Sequence, residues 1–490
     1  MTEVARPEQE CEKPTERDNW SVVALVSLAA VMAGLSLTGL STALPAVVRY
    51  FGAGSAAATW TVLGPIMTST SLMLVCGRIS DRVGRRGMFL LSMALFTMTS
   101  LAQGFAHSIE VLVGLRLLQA VATAMLVSNS AAIVGSVLSA RSLGLGMGVY
   151  LACWTGAELV GPTIGGLITT AFGWQWVFWA NVPAAAICLM VAFPILHLPR
   201  GPAQKRSFDI PGTMLFVVAI CGLVTALSEG NGRGWSDPVV MCAVVVFAVA
   251  GVFFVVWERR AEDPILNLGV FRSRTFSLAN LAGMAAVGSV SAVVIALSLY
   301  FQVLEGMSPL HAGMSVLPLA VGTLAGSLLV GFLTRRWWAD VIAIWACGAT
   351  ALGLVAVLAA IATDQPAAVV GLCTFMVGLG SGAFLPANVT IILARADPGQ
   401  LGSLNAIRLT LQNIAYLLGS AIGLVALTAS LGAGARDAFF AGVPQDRGGS
   451  TGAQLVDAYV GGFGVMAGIS VLALMLSVFA SRARRVSVDR

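Results

Sequence analysis

The sequence predicts an all-α integral membrane protein with fourteen transmembrane helices, two six-helix bundles plus two inserted helices. Three observations predict it: an apolar composition, basic residues confined to alternate loops, and an internal repeat. Apolar residues make up 57% of the 490-residue chain and charged residues 10%, against about 25% charged in ordinary soluble domains. So few charges cannot cover a water-soluble surface of this size.

Runs of about 20 apolar residues, the length that crosses the hydrocarbon layer, lie near 20–48, 57–76, 87–106, 109–137, 143–170, 176–196, 210–228, 238–257, 276–303, 309–333, 338–362, 366–394, 402–430 and 459–481. An even number of crossings brings both termini to the same face. The first residues carry Glu3, Glu8, Glu10, Glu12, Glu16 and Asp18 and lack the basic start and apolar run of a cleaved signal. The tail 1–19 is therefore expected in the cytosol. Of the 28 Lys and Arg, twenty-two fall in segments this places inside, two in spans, and four outside: Arg49, Arg233, Arg436 and Arg447. Shifting the register by one span reverses the bias, so the positive-inside rule supports this orientation, with 482–490 a second cytoplasmic tail.

The repeat supplies the architecture. Gly161 and Gly165 have counterparts Gly419 and Gly423 at an offset of 258, and Gly77 with Arg86 is echoed weakly by Gly331 with Arg336. Six spans need only about 190 residues, so an offset near 255 leaves about 60 over. These divide the chain into an N-terminal bundle (20–200), two inserted transmembrane helices (201–262) and a C-terminal bundle (263–481). The long outer segment 431–458, rich in Gly, Asp and Arg, is expected to be mobile and exposed.

Between the second and third spans, Gly77-Arg78-Ile79-Ser80-Asp81-Arg82-Val83-Gly84-Arg85-Arg86 carries five charges. The two glycines permit a tight reversal, the arginines mark the inner face, and Asp81 is placed where a helix N-terminus or an arginine could hold it. This order of Gly, Asp-Arg and Gly-Arg-Arg resembles the signature loop of the major facilitator superfamily. The likeness continues with Leu37-Thr38-Gly39-Leu40-Ser41-Thr42-Ala43-Leu44-Pro45, with Gly156-Ala157-Glu158-Leu159-Val160-Gly161-Pro162-Thr163-Ile164-Gly165-Gly166, and with Gly173-Trp174-Gln175-Trp176-Val177-Phe178 and Asn181-Val182-Pro183. Beyond the first half it includes Asp263-Pro264, Phe271, Phe276, Tyr300-Phe301-Gln302, Gly306, Ser308-Pro309, Ala312-Gly313, Pro318, and Gly378-Leu379-Gly380-Ser381-Gly382 with Pro386. Roughly residues 20–430 thus resemble the fourteen-span drug:proton antiporter group.

The resemblance implies the major facilitator fold. It also implies secondary active export of drugs, antibiotics or related amphipathic metabolites in exchange for protons, by alternating access, across a bacterial plasma membrane. It assigns Gly77, Asp81, Arg82, Gly84, Arg85 and Arg86 to a conformational latch that holds the outward-open state. Gly156, Gly161, Pro162, Gly165 and Gly166 become the antiporter motif found in exporters. The residues themselves agree with such a role, since small side chains let helix backbones approach and Pro162 removes a backbone donor and can bend the helix.

A charge at the bilayer centre costs about 2.5–3.5 kcal/mol unless it faces a cavity or a partner. Only Arg116, Glu158 and Arg408 sit well within spans. Arg116 matches the family's basic residue in the fourth span, and Glu158 stands near the middle of the fifth, so these two are the candidate proton-coupling pair. The plainer reading of Arg116 is a charge that staples helices. The chain departs from most members of the group at Ser36, where they carry an aspartate, and at Ser128, where they carry a proline. A serine cannot carry a proton. Either Glu158 has taken that role, or coupling uses another group, or the protein is a facilitator. Candidates to line a midplane substrate cavity are Ser36, Gln119, Asn129, Tyr150, Trp154, Tyr300, Gln302, Asn388, Arg408, Gln412 and Tyr416. With so few acids, the cavity suits apolar or mixed-charge molecules better than dications.

Other classes are disfavoured. Lys13 and Lys205 follow Glu12 and Gln204, so no phosphate-binding Gly-Lys-Ser/Thr loop is present. His107, His197 and His311 stand apart and suggest no metal centre, and the eight cysteines lack a Cys-x-x-Cys and read as small buried hydrophobes. Asn388-Val389-Thr390 falls inside a span, away from any glycosylation machinery. The expectation is a non-enzymatic monomer without cofactor, driven by the proton gradient. Its partners are the lipid bilayer, a small-molecule substrate and protons, without nucleic acid. The alternatives are a facilitator or lipid or metabolite transporter on the same scaffold, or a non-transporting membrane sensor.

Overall fold

The computed structural model describes residues 18–138, 140–196, 209–261, 271, 273–334, 336–393, 401–445 and 449–488, and no strand occurs among them. The first group of helices is α1 (Trp20–Thr38), α2 (Leu40–Phe51), α3 (Ser55–Val83), α4 (Arg85–Gln103), α5 (Ile109–Val137), α6 (Ala140–Phe172), α7 (Trp176–Trp179) and α8 (Asn181–Ile195). A hairpin follows, α9 (Ile210–Arg233) and α10 (Pro238–Glu258). The second group is α11 (Arg274–Val290), α12 (Val293–Val303), α13 (Pro309–Leu333), α14 (Ala339–Ala362), α15 (Ala367–Leu393), α16 (Leu401–Thr428), α17 (Ala433–Ala441) and α18 (Ser450–Val488). Ten stretches are long and apolar enough to cross a membrane, or eleven with the bent α6. At the other three expected positions α3, α4 and α9 are helical, but Ser, Thr and charged residues dilute the apolar runs of α3 and α4, and the described part of α9 holds only the shorter apolar stretch Pro211–Leu227.

Within each group the helices pack on one another, α1, α3, α4, α5, α6 and α8 in the first and α11, α13, α14, α15, α16 and α18 in the second. The groups meet where α6 packs on α13 and α3 on α16. α9 touches both α3 and α16, and it is tied to the first by the Trp60 indole, which donates to Glu229 Oε1 at 3.0 Å. The expected boundaries near 200 and 262 lie outside the described residues, and α18 runs unbroken past 481.

The α1–α2 break in the first group and the α11–α12 break in the second are each packed by a pair of glycines. A Cβ on Gly161 would stand 2.1 Å from Thr38 Oγ1, and one on Gly165 2.1 Å from the carbonyl oxygen of Gly39, where α1 gives way to α2. In the second group a Cβ on Gly419 would stand 2.3 Å from the Gly288 carbonyl oxygen, and one on Gly423 2.3 Å from Ala292 Cβ, at the α11–α12 break. The glycines that repeat in the sequence therefore do the same job twice.

Of the prolines inside helices, Pro45, Pro162 and Pro386 each leave a carbonyl four residues back without its helical donor, and a hydroxyl from a neighbouring helix fills each of these three vacancies. Thr38 Oγ1 donates to the Glu158 carbonyl freed by Pro162, at 2.9 Å. Ser298 Oγ donates to Ser41, freed by Pro45, at 3.4 Å, and Ser327 Oγ donates to Gly382, freed by Pro386, at 3.0 Å.

Two expectations need correction. The segment from Gly77 to Arg86 is not a ten-residue loop: α3 continues to Val83 and the chain reverses at Gly84 alone, with φ 104°. Gly77 sits within the helix, and helix-compatible residues carry α3 on to that single turn. The described part of 431–458 is not a loop throughout either, although Gly432, Gly434, Asp437, Val443 and Pro444 are exposed as expected. It folds into α17 and the start of α18, with Phe439 at 0% and Phe440 at 1% exposure, because an apolar pair in otherwise polar surroundings finds a core to enter.

Candidate functional site

Buried polar side chains lie both within the first group and along the seam between the two groups. On α5, Arg116 is 3% exposed. Its Nη1 donates to the Ser36 carbonyl at 3.1 Å and its guanidinium carbon lies 6.0 Å from the centre of the Phe178 ring, at the limit of a cation–π contact. Ser36 Oγ donates to Gln119 Oε1 at 3.1 Å, and Gln119 Nε2 donates to Ser100 Oγ at 2.8 Å. Ser36 thereby joins α1 to α5 twice, through its backbone and its hydroxyl.

Glu158 lies on the other side of α1, half-buried, where α6 bends by 44° between Gly146–Glu158 and Val160–Phe172. The Trp154 indole hydrogen-bonds its carboxylate. Tyr150 of α6, itself hydrogen-bonded to Ser130, and Tyr416 of α16 both lie within electrostatic reach of that carboxylate. The expected partnership of Glu158 with Arg116 is thus not a direct ion pair, because α1 stands between them with Ser36 on Arg116 and Thr38 on Glu158.

Arg408, Gln412 and Tyr416 follow one another at helical spacing along α16. Arg408 Nη1 donates to Gln412 Oε1 at 2.8 Å, which fixes the amide and leaves Gln412 Nε2 buried without a partner. Asn388 Nδ2 on α15 is in the same condition, directed at α11, where a Cβ on Gly283 would come within 2.7 Å of it. The next residue on α16 after Gln412, Asn413, reaches Met73 Sδ of α3 across the seam through its Nδ2, at 3.2 Å.

Three cavity candidates are engaged elsewhere in this conformation. Asn129 accepts from Ser80 Oγ at 2.6 Å and donates to the Arg85 carbonyl at 2.7 Å, holding both sides of the Gly84 turn. Tyr300 is fully buried, with its hydroxyl on Glu305 Oε1 at 3.1 Å and its ring against Tyr459. Gln302 Nε2 donates to the Thr42 carbonyl at 3.3 Å, a strut between the groups. Among the latch candidates, Arg85 Nη1 donates to the Ala132 carbonyl at 3.0 Å and Arg86 Nη2 to the Phe193 carbonyl at 2.9 Å, both within the first group. The side chains of Asp81 and Arg82 lie outside the described residues.

Of the antiporter-motif glycines, Gly161 and Gly165 meet α1 and Gly166 meets α13, where a Cβ would come within 2.2 Å of the Pro309 carbonyl oxygen. Gly156 differs, since a Cβ there would find nothing within 4 Å. The end that the basic-residue bias assigns to the outside is bridged repeatedly. Thr163 Oγ1 donates to the Gly313 carbonyl at 2.9 Å, and Leu310 N donates to Thr170 Oγ1 at 3.2 Å. Two charged side chains join this seal from opposite directions. Arg49, at the end of α2, donates to the Ala441 and Gly442 carbonyls at the C-terminus of α17, at 2.7 and 3.1 Å. Asp437 of α17 accepts from Ser55 N at the N-terminus of α3, at 2.9 Å.

Thr38, Ser100 and the Trp60–Glu229 contact are additions that sequence reasoning did not single out. A threonine directly before the Gly39 break was a usable signal. Its partner was not, because that depends on how α1 and α6 are rotated against each other.

Two bundles of bent apolar helices, meeting at a seam that holds a carboxyl, define a multi-pass membrane transport protein. The chain belongs to the Major Facilitator Superfamily, whose profile matches residues 26–420. It is 30% identical to a puromycin resistance protein of Streptomyces alboniger over 95% of this chain and 91% of that one. It is 28% identical to a riboflavin transporter of Clostridioides difficile over 83% and 87%, and 27% identical to a methylenomycin A resistance protein of Streptomyces coelicolor over 84% and 86%. Among solved structures it superposes on a bacterial homologue of the human lysosomal transporter Spinster, inward-facing and unoccupied, with TM-score 0.64 at 16% identity over 96% and 98% of the chains. A D-xylose-proton symporter gives 0.62 at 14% identity over 94% and 97%. These last two share the fold. The family and the relatives are transporters, and the relatives are bacterial.

Proposed function

We propose that the protein is a fourteen-span, proton-coupled exporter of antibiotics or related amphipathic molecules in a bacterial plasma membrane, with both termini cytoplasmic. The observation that carries this reading is the Glu158 carboxyl at the bend of α6, within electrostatic reach of Tyr416 on α16 of the other group. A carboxyl there can be reached alternately from either side as the bundles rock, which is what exchange of a proton for substrate requires. Arg116 acts through Ser36, and the Gly84 turn with its arginines forms the inner latch. The protein acts as a monomer with no bound cofactor.

The test is efflux from proteoliposomes with an imposed pH gradient, using puromycin and methylenomycin A as probes. Glu158→Gln should reduce gradient-driven efflux at least about tenfold, a barrier change of about 1.4 kcal/mol, while binding is retained. Unchanged efflux would remove Glu158 from the proton path. The riboflavin transporter relative favours a second reading, metabolite transport. Riboflavin movement that does not respond to the gradient would select it.

A further inference from the structure

We infer that Thr38 is the positioning residue for Glu158, acting through the backbone carbonyl that Pro162 leaves open. The inference rests on the proposal that Glu158 carries the proton. Proline at 162 has no N–H, so the Glu158 carbonyl cannot close its turn of helix. Thr38 Oγ1 supplies the missing donor at 2.9 Å, the shorter of its two contacts, the other being the Gly34 carbonyl of its own helix at 3.2 Å. Room for that hydroxyl exists because residue 161 is glycine: a Cβ there would stand 2.1 Å from Thr38 Oγ1 and 3.2 Å from Thr38 Cβ. A carbonyl opened by one residue, a donor from another helix and space left by a third converge on the backbone of Glu158.

Thr38 is also well anchored. It is the last residue of α1, and the Gly39 that follows is held against Gly165. Two residues earlier, Ser36 holds Arg116 and Gln119 of α5. The stretch from Ser36 to Thr38 is therefore a rung with Arg116 at one end and Glu158 at the other. A change at the carboxyl reaches the guanidinium through α1, with no ion pair between them. The groups that face Glu158 are Tyr150 of its own helix and Tyr416 of α16, with Arg408 two turns along α16 from Tyr416, Arg116 on α5 behind α1, and His311 at the outer end of α13. Removing the Thr38 hydroxyl strands a buried carbonyl at the bend, and the shift of α6 that relieves it moves the carboxyl against these groups.

The experiment is an infrared titration of the full-length protein in lipid vesicles, following the carboxyl C=O stretch against pH. Glu158→Gln identifies the Glu158 band by removing it. Thr38→Val keeps the branched shape and deletes the donor; it should move the midpoint of that band by at least about half a pH unit, roughly a threefold change in proton affinity. Gly161→Ala, which displaces the hydroxyl, should do the same, and Thr38→Ser should restore the wild-type midpoint. A Thr38→Val protein that melts earlier while its Glu158 midpoint stays at the wild-type value overturns the positioning role and leaves the proton-carrier reading standing. If Glu158→Gln removes no titrating band, the carrier reading itself falls, and this inference with it.

Discussion

The α1–α2 break in the first bundle and the α11–α12 break in the second are built alike and equipped differently. Both are met by a glycine pair from a partner helix, Gly161 with Gly165 and Gly419 with Gly423. At the repeat offset of 258, Glu158 corresponds to Tyr416, Trp154 to Gln412, Tyr150 to Arg408 and Pro162 to Ser420. Ser420 keeps its N–H, so the second break opens no carbonyl, and Ser291 Oγ turns back to Gly288 of its own helix at 3.0 Å. Thr38 keeps such a contact with Gly34 at 3.2 Å but also reaches across to α6 at 2.9 Å. Close packing is thus common property of the two repeats, while the proline, its hydroxyl partner and the acid belong to one. Duplication set the frame, and the chemistry was placed on one side of it.

The strongest way to break this comparison is to fill the glycines. Gly165→Ala and Gly419→Ala each drive a Cβ into backbone that has no flexible end to yield. Each should cost about 2–3 kcal/mol by overpacking and appear as a large fall in melting temperature and folded yield. Near-wild-type melting of either variant would show that the breaks are not held by close approach. A smaller effect should follow Ser420→Pro, which gives the second repeat the feature it lacks. It frees the Tyr416 carbonyl one turn before Gly419, where a Cβ would stand 2.4 Å from Ser291 Oγ, and if that hydroxyl turns to cap it, as Thr38 does, the loss should stay below the ~3 kcal/mol of an unrelieved helix proline. Thermal unfolding alongside the Ser420→Pro, Ser291→Ala double variant reads the difference, and equal losses would deny the cap. The smallest effect belongs to Gly156→Ala, because a Cβ there meets nothing within 4 Å. Stability should change by no more than about 0.5–1 kcal/mol, in the favourable direction, and a large loss would mean that the open space is occupied during transport.

Much of the scaffold was legible in the sequence, because hydropathy and the glycine offset report on properties each residue carries with it. Helices stand at every expected span position, and the two glycine pairs repeat their packing. The details that failed depend on what lies opposite. Gly77 looked like a turn residue but is accommodated within α3, and Gly84 alone reverses the chain. Asn129 and Tyr300 have the polarity of cavity residues, yet each is taken by a neighbour on another turn or helix. The Gly, Asp and Arg content of 431–458 suggested solvent, although Phe439-Phe440 within it signalled a buried contact. Glu158 was visible because an acid in a span is costly wherever it points; Thr38 was not, because its meaning comes from a proline on a different helix.

The two charges on the outer seal have a consequence for where the transporter rests. Arg49 sits on carbonyls at the C-terminus of α17, and Asp437 on an amide at the N-terminus of α3, each matching the sign of its helix end at about 0.3–1 kcal/mol. In the orientation proposed above both exposed contacts face the external solution, where mobile ions screen them within about 10 Å at 0.1 M ionic strength. Raising salt on the outside alone should therefore tilt the resting equilibrium toward outward opening, by up to a few-fold. A thiol reporter placed at the covered Thr42 position would register this as faster labelling in high external salt. The surroundings of the cell, acting through two ordinary surface charges, would then help set how often the gate opens.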